Sequence, residues 1–502
     1  MVLTSSDQAC APLVLALDLG TSSARAMLYD AQGRCVTDME SRQPSPIEVS
    51  HDGAFETDPD ALLEKVWRCI DEVLVKAGAL ADAIGGVSCC TFVSNVMGVD
   101  SQGRAITPLV LYGDTRAADQ AFDLATRLDE EYFHQRTGTR FHASYLPARF
   151  LWWKQERPIE FGLVERWISI GEYMLLKLFG DTAVSHSVAS WTGLQHRVAL
   201  DWDDEILSHL PVGRGQLSRL VDADHAFRGL RAPFAARWPA LASAQWFPAI
   251  GDGAANNIGS GCFNPSRVAL SMGTSSAVRT VITTPDVTLP AGLWCYRLDR
   301  KRSLLGGAMT EGGSVFSWFR KLLNLEGYDN LGTLDTALSQ MPPAASGLTF
   351  LPLISGERSP GWVSEARGIL MGISIATSPL DLLRAGMEGV ACRIALVYDL
   401  LSAELAENVE IIASGGAIQN SPAWQQIFAD ALNRPVRLSQ VPETSTRGGV
   451  LLALEAMGAV DDLASLPDSS ILAAVPDPMR HAKYQEVIAQ QMQMYDKLIL
   501  HK

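Results

Sequence analysis

The pentapeptide Gly-Thr-Ser-Ser-Ala occurs twice in this chain, in LDLGTSSARA at residues 17 to 26 and in LSMGTSSAVR at residues 270 to 279. Residues 13 to 17 (LVLAL) read as a strand, the Gly/Thr/Ser stretch as a polar turn, and residues 25 to 29 as a returning strand that ends near Gly33. The second copy repeats the pattern, with strands over 268 to 271 and 278 to 283. A chain of 502 residues is too long for one ordinary core. Two similar lobes, each opening on a hairpin with the same tip, are therefore expected. The identity is local, so the duplication is an inference from the paired hairpins. One difference stands out: Asp18 precedes the first turn where the second copy has Ser271.

The remaining stretches alternate strands with helices, which gives an α/β class. IGGVSCCT (84 to 91) and EIIAS (410 to 414) read as strands. Ser421-Pro422 and Ser378-Pro379 read as N-cap and first helical residue of two helices, the second one long and rich in small residues. The lobe boundary falls where QWFPAI meets GDG, giving an N-terminal lobe of residues 1–248 and a C-terminal lobe of residues 249–502.

Composition narrows the partners. A formal charge of −15 disfavours a phosphate-backbone binder, so no nucleic-acid partner is expected. The first apolar stretch is broken by Asp18 well before it could span a bilayer and no basic leader precedes it, so no membrane association is expected. Eight scattered cysteines without CxxC spacing read as small buried hydrophobes in a reducing cytoplasm. GxxxxGK[ST], GxGxxG and GxSxG are all missing, and the nine histidines make no zinc pattern.

A tip of Gly with consecutive Thr and Ser offers amides and hydroxyls to the oxygens of a phosphate chain, and two such tips facing each other would hold one polyphosphate from both sides. A plain polar β-turn is the alternative for either copy taken alone. Asp18, at the base of the first tip, would repel phosphate unless a cation lay between them, which points to Mg²⁺. Its alternative is an Asp bonded to the turn's own amides. In AIGDGAANNIGSGC (249 to 262), Asp252 lies between two glycines at a helix start and is the candidate general base, with a simple N-cap as the other reading. ASGGAIQNSPAWQQ (413 to 426) reads as strand, glycine pair and helix, a weak nucleotide signal in which Asn420 would meet a base or ribose.

DLGTSSAR, GDGAANN, SMGTSS and SGGAIQN, in this order, resemble the FGGY carbohydrate kinases of the actin-like and ribonuclease H-like ATPase superfamily. The resemblance covers nearly the whole chain. Its sharpest piece is GILMGISIATSPLDLLRAGME (368 to 388), where Gly386 departs from the family pattern. The resemblance implies two ribonuclease H-like lobes closing on ATP and a sugar or sugar acid. It implies that Thr21, Ser22, Ser23 and Arg25 line the phosphate side of the first hairpin, that Asp18 and Asp252 serve the metal, and that Asp252 is also the base. Gly273 and Thr274 match the second phosphate turn, Gly313 and Ser317 a nucleotide-contacting helix start, and Gly416 and Asn420 the adenosine side.

YGDTRAAD, SYLPARFLWWKQERP, VASWTGLQ and GLWCYRLD are similar to gluconate kinase-like members. Asp114 and Arg116 would then meet substrate hydroxyls or a carboxylate, with a local salt bridge to Asp114 and Asp119 equally open for Arg116. Where relatives often place a His toward the sugar, this chain has FVSNVMG, so Ser94 and Asn95 face that role, and Asn95 is carried forward as a substrate contact. An aldonate such as gluconate is the expected acceptor, with xylulose or another ketose or polyol as the alternative. An actin-like or chaperone-like ATPase switch and a non-catalytic sugar sensor are the competing classes. A homodimer is the assembly carried forward.

Overall fold

The computed structural model describes residues 2–45, 47–284, 286–328 and 330–501. Each half of the chain builds a mixed sheet on the same plan. In the first, Leu13–Leu19 pairs antiparallel with Ser23–Tyr29, which pairs antiparallel with Cys35–Pro44. On its other side Leu13–Leu19 runs parallel to Ile84–Thr91, and Gln245–Trp246 follows in parallel. In the second, Arg267–Met272 pairs antiparallel with Ser276–Ile282, which pairs antiparallel with Ser303–Met309. Arg267–Met272 then runs parallel to Glu410–Ser414, with Val436–Ser439 beyond it. Buried parallel strands explain why IGGVSCCT and EIIAS are built mainly of small and apolar residues, with Glu410 at the start of its strand as the one charged residue.

The expected hairpins, strands and caps are present. Ser378 forms a capping box with Asp381 at the start of Pro379–Leu401, and the Ser421 side chain accepts from the Trp424 amide to open Pro422–Leu432. All eight cysteines are free thiols; seven are buried as expected, but Cys10 is exposed. Among the described residues no helix is long and apolar enough to cross a membrane.

The two hairpins are not superposable copies. Leu19 faces Ala24 in the first, leaving four residues in the turn, and the Gly20 amide donates to the Ser23 carbonyl at 3.1 Å. Met272 faces Ser276 in the second, leaving three, and the Gly273 amide donates to the Ser275 carbonyl at 3.0 Å. A one-residue slip exchanges the faces of every side chain that follows. Arg25, opposite Asp18, and Arg279, diagonal to Ser271, consequently reach the same side of their sheets from different sequence offsets.

Between the sheets lies a layer of two helices, Asp252–Gly259 and Thr444–Ala456. Ala254, Ala255 and Ile258 of one and Val450, Leu451 and Leu454 of the other join residues of both sheets in a single buried cluster. The chain reaches this layer directly from the first sheet, because Ile250–Gly251 still pairs with Cys90 and Thr91. The two helices touch backbone to backbone: a Cβ on Gly259 would lie 1.8 Å from the Thr444 carbonyl oxygen, and one on Gly448 would lie 1.8 Å from that of Ala255. Gly448→Ala must force the helices apart, at a cost of about 3 kcal/mol in stability, whereas Gly162→Ala, at a position open to solvent, should stay within about 0.5 kcal/mol of the wild type. Denaturant midpoints for the two variants check this contrast.

Candidate active site

A cavity of about 470 Å³ runs between the two hairpin tips. Asp18, Thr21, Ser22 and Arg25 reach it from the first half, and Ser275 and Ser276 from the second, with Asp252 between. Asp252 is the first residue of its helix, with Gly251 as the N-cap, so the plain N-cap reading does not hold. Its Oδ1 accepts from the Gly253 amide at 2.7 Å. Burial raises the Asp252 pKa, against the opposing pull of that amide and of Arg279. Burial likewise pushes Asp18 up to about 6, opposed by Arg25, with the Asp252 charge adding to the rise. The Asp18 carboxylate meets Arg25 at 3.9 Å, accepts from the Cys90 thiol at 3.4 Å and bonds none of the turn amides. Two carboxylates desolvated in one cavity, with the charge of Asp252 further disfavouring ionised Asp18, fit a divalent cation that would keep water and phosphate oxygens as its remaining ligands.

Ser23 does not line the cavity. It is buried at the start of its strand, where its Oγ accepts from Arg25 Nε at 3.2 Å and Arg42 Nε at 3.0 Å. Ser23 shares a strand face with Arg25, and the guanidinium groups of Arg25 and Arg42 take up its hydroxyl there. Arg25 itself bridges the halves by pairing with Glu443, which precedes helix Thr444–Ala456.

A second cavity, of about 590 Å³, collects Gly273, Thr274, Gly313, Ser317, Gly416 and Asn420. The second turn is therefore shared, with Gly273 and Thr274 on one cavity and Ser275 and Ser276 on the other. It is clasped from behind, since the Gly313 amide donates to the Gly273 carbonyl at 2.8 Å and Ser276 Oγ to the Glu311 carbonyl at 2.6 Å. Phe316, Arg320 and Asp335 also line this second cavity and were not legible in the motifs.

On the remaining wall of the first cavity the sequence reading needs correction. Asn95 is buried away from it: Nδ2 donates to the Phe92 carbonyl at 2.7 Å, and Oδ1 accepts from the Ile170 amide at 2.9 Å. Asn95 thus ties the loop to a helix start, while Ser94 lines the cavity and donates to the Trp191 carbonyl at 2.8 Å. Asp114 and Arg116 are spent on each other at 2.7 Å, and Arg116 also meets Glu56 at 2.7 Å and lies over the Trp152 ring. The local salt bridge is the geometry found, with Glu56 in place of Asp119.

The same quoted motifs supply the wall through other residues. Tyr112 precedes Asp114, Ser144 and Tyr145 open SYLPARF, and Trp191 sits in VASWTGLQ. Trp191 stacks on Tyr296 with centroids 3.6 Å apart, and Trp294 meets both rings, 4.5 Å from Tyr296 and 5.5 Å from Trp191, so aromatic rings from both halves form one surface. Arg149 supports the wall from behind, donating to the carbonyls of Ala143, Ser94 and Leu111 at 3.0, 2.5 and 2.6 Å. Burial lowers the Arg149 pKa to about 10. Arg358 and Trp362 come from a loop of the second half that carries none of the recognised motifs.

Comparison with known proteins places these features in one group. Residues 13–259 match the FGGY family of carbohydrate kinases, N-terminal domain, and residues 268–457 match the C-terminal domain of the same family. The gluconokinase of Bacillus subtilis (strain 168) is 26% identical over 463 residues, covering 91% of this chain and 90% of the relative. The xylulose kinase of Escherichia coli (strain K12) is 25% identical over 504 residues, covering 97% and 99%. A crystal structure of gluconate kinase from Lactobacillus acidophilus superposes with a TM-score of 0.88 at 25% identity, covering 97% of this chain and 98% of the other.

His142, on the same wall, accepts from the Ser144 amide at 3.1 Å through Nδ1, which leaves the proton on Nε2. Burial, reinforced by Arg358 and Arg149, lowers its pKa to about 4. As pH falls from about 6.5 to about 4 the unfolded chain takes up this proton and the folded chain does not, so stability is lost in that window, by up to about 3 kcal/mol. His142→Asn should remove this component, giving a shallower fall in urea midpoint between pH 7 and pH 4.5 than the wild type shows.

Proposed function

Because the chain belongs to the FGGY family of carbohydrate kinases and is thus a sugar kinase, we propose that it transfers the γ-phosphate of ATP to a hydroxyl of gluconate or a related aldonate. The carrying observation is the placement of Asp252: a buried carboxylate on the first turn of a helix, inside the cavity that both Gly-Thr-Ser-Ser tips enter.

In this reading Asp252 accepts the proton of the attacking hydroxyl, and its raised pKa strengthens it as a base. The amides and hydroxyls at 20–22 and 273–276 hold the phosphate chain from opposite walls, aligning donor and acceptor for in-line transfer. Gly313, Ser317, Gly416 and Asn420 hold the nucleoside in the adjoining cavity. Kinases of this family use ATP and typically Mg²⁺; Asp18 and Asp252 would hold the cation, which supplies charge neutralisation at the γ-phosphate. The aromatic surface of Trp191, Tyr296 and Trp294 excludes water from the acceptor side, limiting hydrolysis of ATP.

The gluconokinase relative favours an aldonate. A ketose acceptor is the second reading, favoured by the E. coli xylulose kinase, which spans more of this chain at nearly the same identity. Asp252→Asn should lower transfer by about a thousandfold or more while ATP binding is retained. A coupled ADP-release assay over aldonates, ketoses and polyols, with ATP affinity measured separately, checks both the base and the acceptor class. Turnover near the wild-type rate would remove Asp252 from the reaction.

A further inference from the structure

Arg25 at the phosphate end of the cavity is matched by Asp18 and Glu443. The acceptor end is not balanced in this way. Arg279 and Arg358 both line it, and among the described residues neither forms an ion pair. Nearby acids are otherwise committed: Glu357 pairs with Arg393 and accepts from Tyr495, and Glu311 accepts from the Ser355 amide at 2.8 Å. Asp252 remains, and a base must stay free to take a proton. Two guanidinium groups therefore face one carboxylate across an aromatic, poorly solvated wall, which is costly unless an anion enters.

The two arginines are held differently. Arg358 comes from a loop, and its Nη2 donates to the Met309 carbonyl at 3.2 Å. Arg279 comes from the strand of the second hairpin and is brought to this face by the shortened turn. Its stem crosses Gly306, where a Cβ would lie 3.1 Å from Arg279 Cγ, and Nη1 donates to Ser271 Oγ at 3.1 Å. Its Nε is buried with no hydrogen-bond partner. A side chain packed along its stem, with a buried donor unused, is organised in advance for a planar acceptor.

We infer that Arg279 is the residue by which this cavity selects an acid: its guanidinium, faced by Arg358, takes the substrate carboxylate while a hydroxyl of the same molecule meets Asp252. The inference rests on the kinase reading and sharpens it, replacing Arg116 as the carboxylate partner. The other anion that could meet Arg279 is the transferring phosphoryl group, and the two sources separate experimentally.

Sorbitol is gluconate with the carboxylate replaced by an alcohol, so the pair isolates the charge. In calorimetric titrations without nucleotide, the wild-type protein should bind gluconate about 100-fold more tightly than sorbitol. Arg279→Leu should collapse that ratio toward one, and Arg279→Lys, which keeps the charge but loses the fork, should retain part of it. A ratio unchanged in a folded Arg279→Leu protein overturns the inference. So does an equal loss of kcat/KM on gluconate and on neutral acceptors together with a raised KM for ATP, which would assign Arg279 to the phosphoryl group. Phosphate transfer by a wild type that does not discriminate the two ligands defeats this inference alone, whereas discrimination without transfer defeats the kinase reading and leaves the anion site standing.

Discussion

The contact of helix Asp252–Gly259 with helix Thr444–Ala456 determines where the rest of the site can be. Both helices point their first residues at the cavity, and both are wedged between sheets from opposite halves of the chain. Glycines at 259 and 448 let the two backbones meet directly, so their relative position is fixed by main-chain atoms, which cannot change rotamer as side chains can. Further bonds pin the same layer to the first half. Tyr29 OH and Thr446 Oγ1 lie 2.7 Å apart, and Arg447 donates to the carbonyls of Gly33 and Gly259 at 3.0 and 2.7 Å. Asp252, on the first turn of such a helix, is thereby carried on a rigid support.

The paired hairpins show how one peptide can serve two roles. Five identical residues close a four-residue turn in one half and a three-residue turn in the other. The difference lies in what supports each tip. The first is flanked by the strand Cys35–Pro44, whose neighbour Ser45 donates its amide to the Ser22 carbonyl at 2.9 Å. The second is gripped by the segment 311–314, and a Cβ on Gly312 would strike the Ser275 carbonyl at 2.6 Å. Tertiary contacts therefore choose the register, and the register chooses which side chains face the cavity. Arg25 and Arg279 stand at different distances from their turns because each is placed for the slip its own hairpin makes.

This explains what the sequence disclosed and what it withheld. Hydrophobic runs, turn residues and caps placed the strands 84–91 and 410–414 and the helices after Ser378 and Ser421, since those signals are local. The motifs bordering both cavities were legible too. Within them, a charged and an amide side chain attracted attention that belonged to their neighbours: Arg116 over Tyr112, and Asn95 over Ser94. An arginine with an acid two residues away forms its pair locally, and an asparagine beside a helix start satisfies backbone, so both side chains turn to protein partners and neither lines the cavity. Trp294 and Tyr296 alternate on one strand face, a pattern that reads as core until the facing Trp191 is known. Arg149 and Arg358 depend on contacts distant in sequence, with Ala143 the one near partner of Arg149, and no spacing announces them.

The cavity is electrostatically divided along its length, and the division follows from the unequal halves. The first hairpin keeps an acid, Asp18, opposite its arginine, and with Glu443 that end sets two acids against one arginine, which suits a cation accompanying phosphate. The second hairpin has Ser271 diagonal to its arginine, and a hydroxyl can orient a guanidinium without cancelling its charge. Losing the acid in the second copy therefore does more than dispense with a redundant ligand. It leaves a positive charge beside Asp252, which favours the ionised form of that carboxylate and, in the proposed reaction, would favour an anionic acceptor. Because Trp191 stacks on Tyr296 across the two halves, this charge lies against a surface that neither half completes alone.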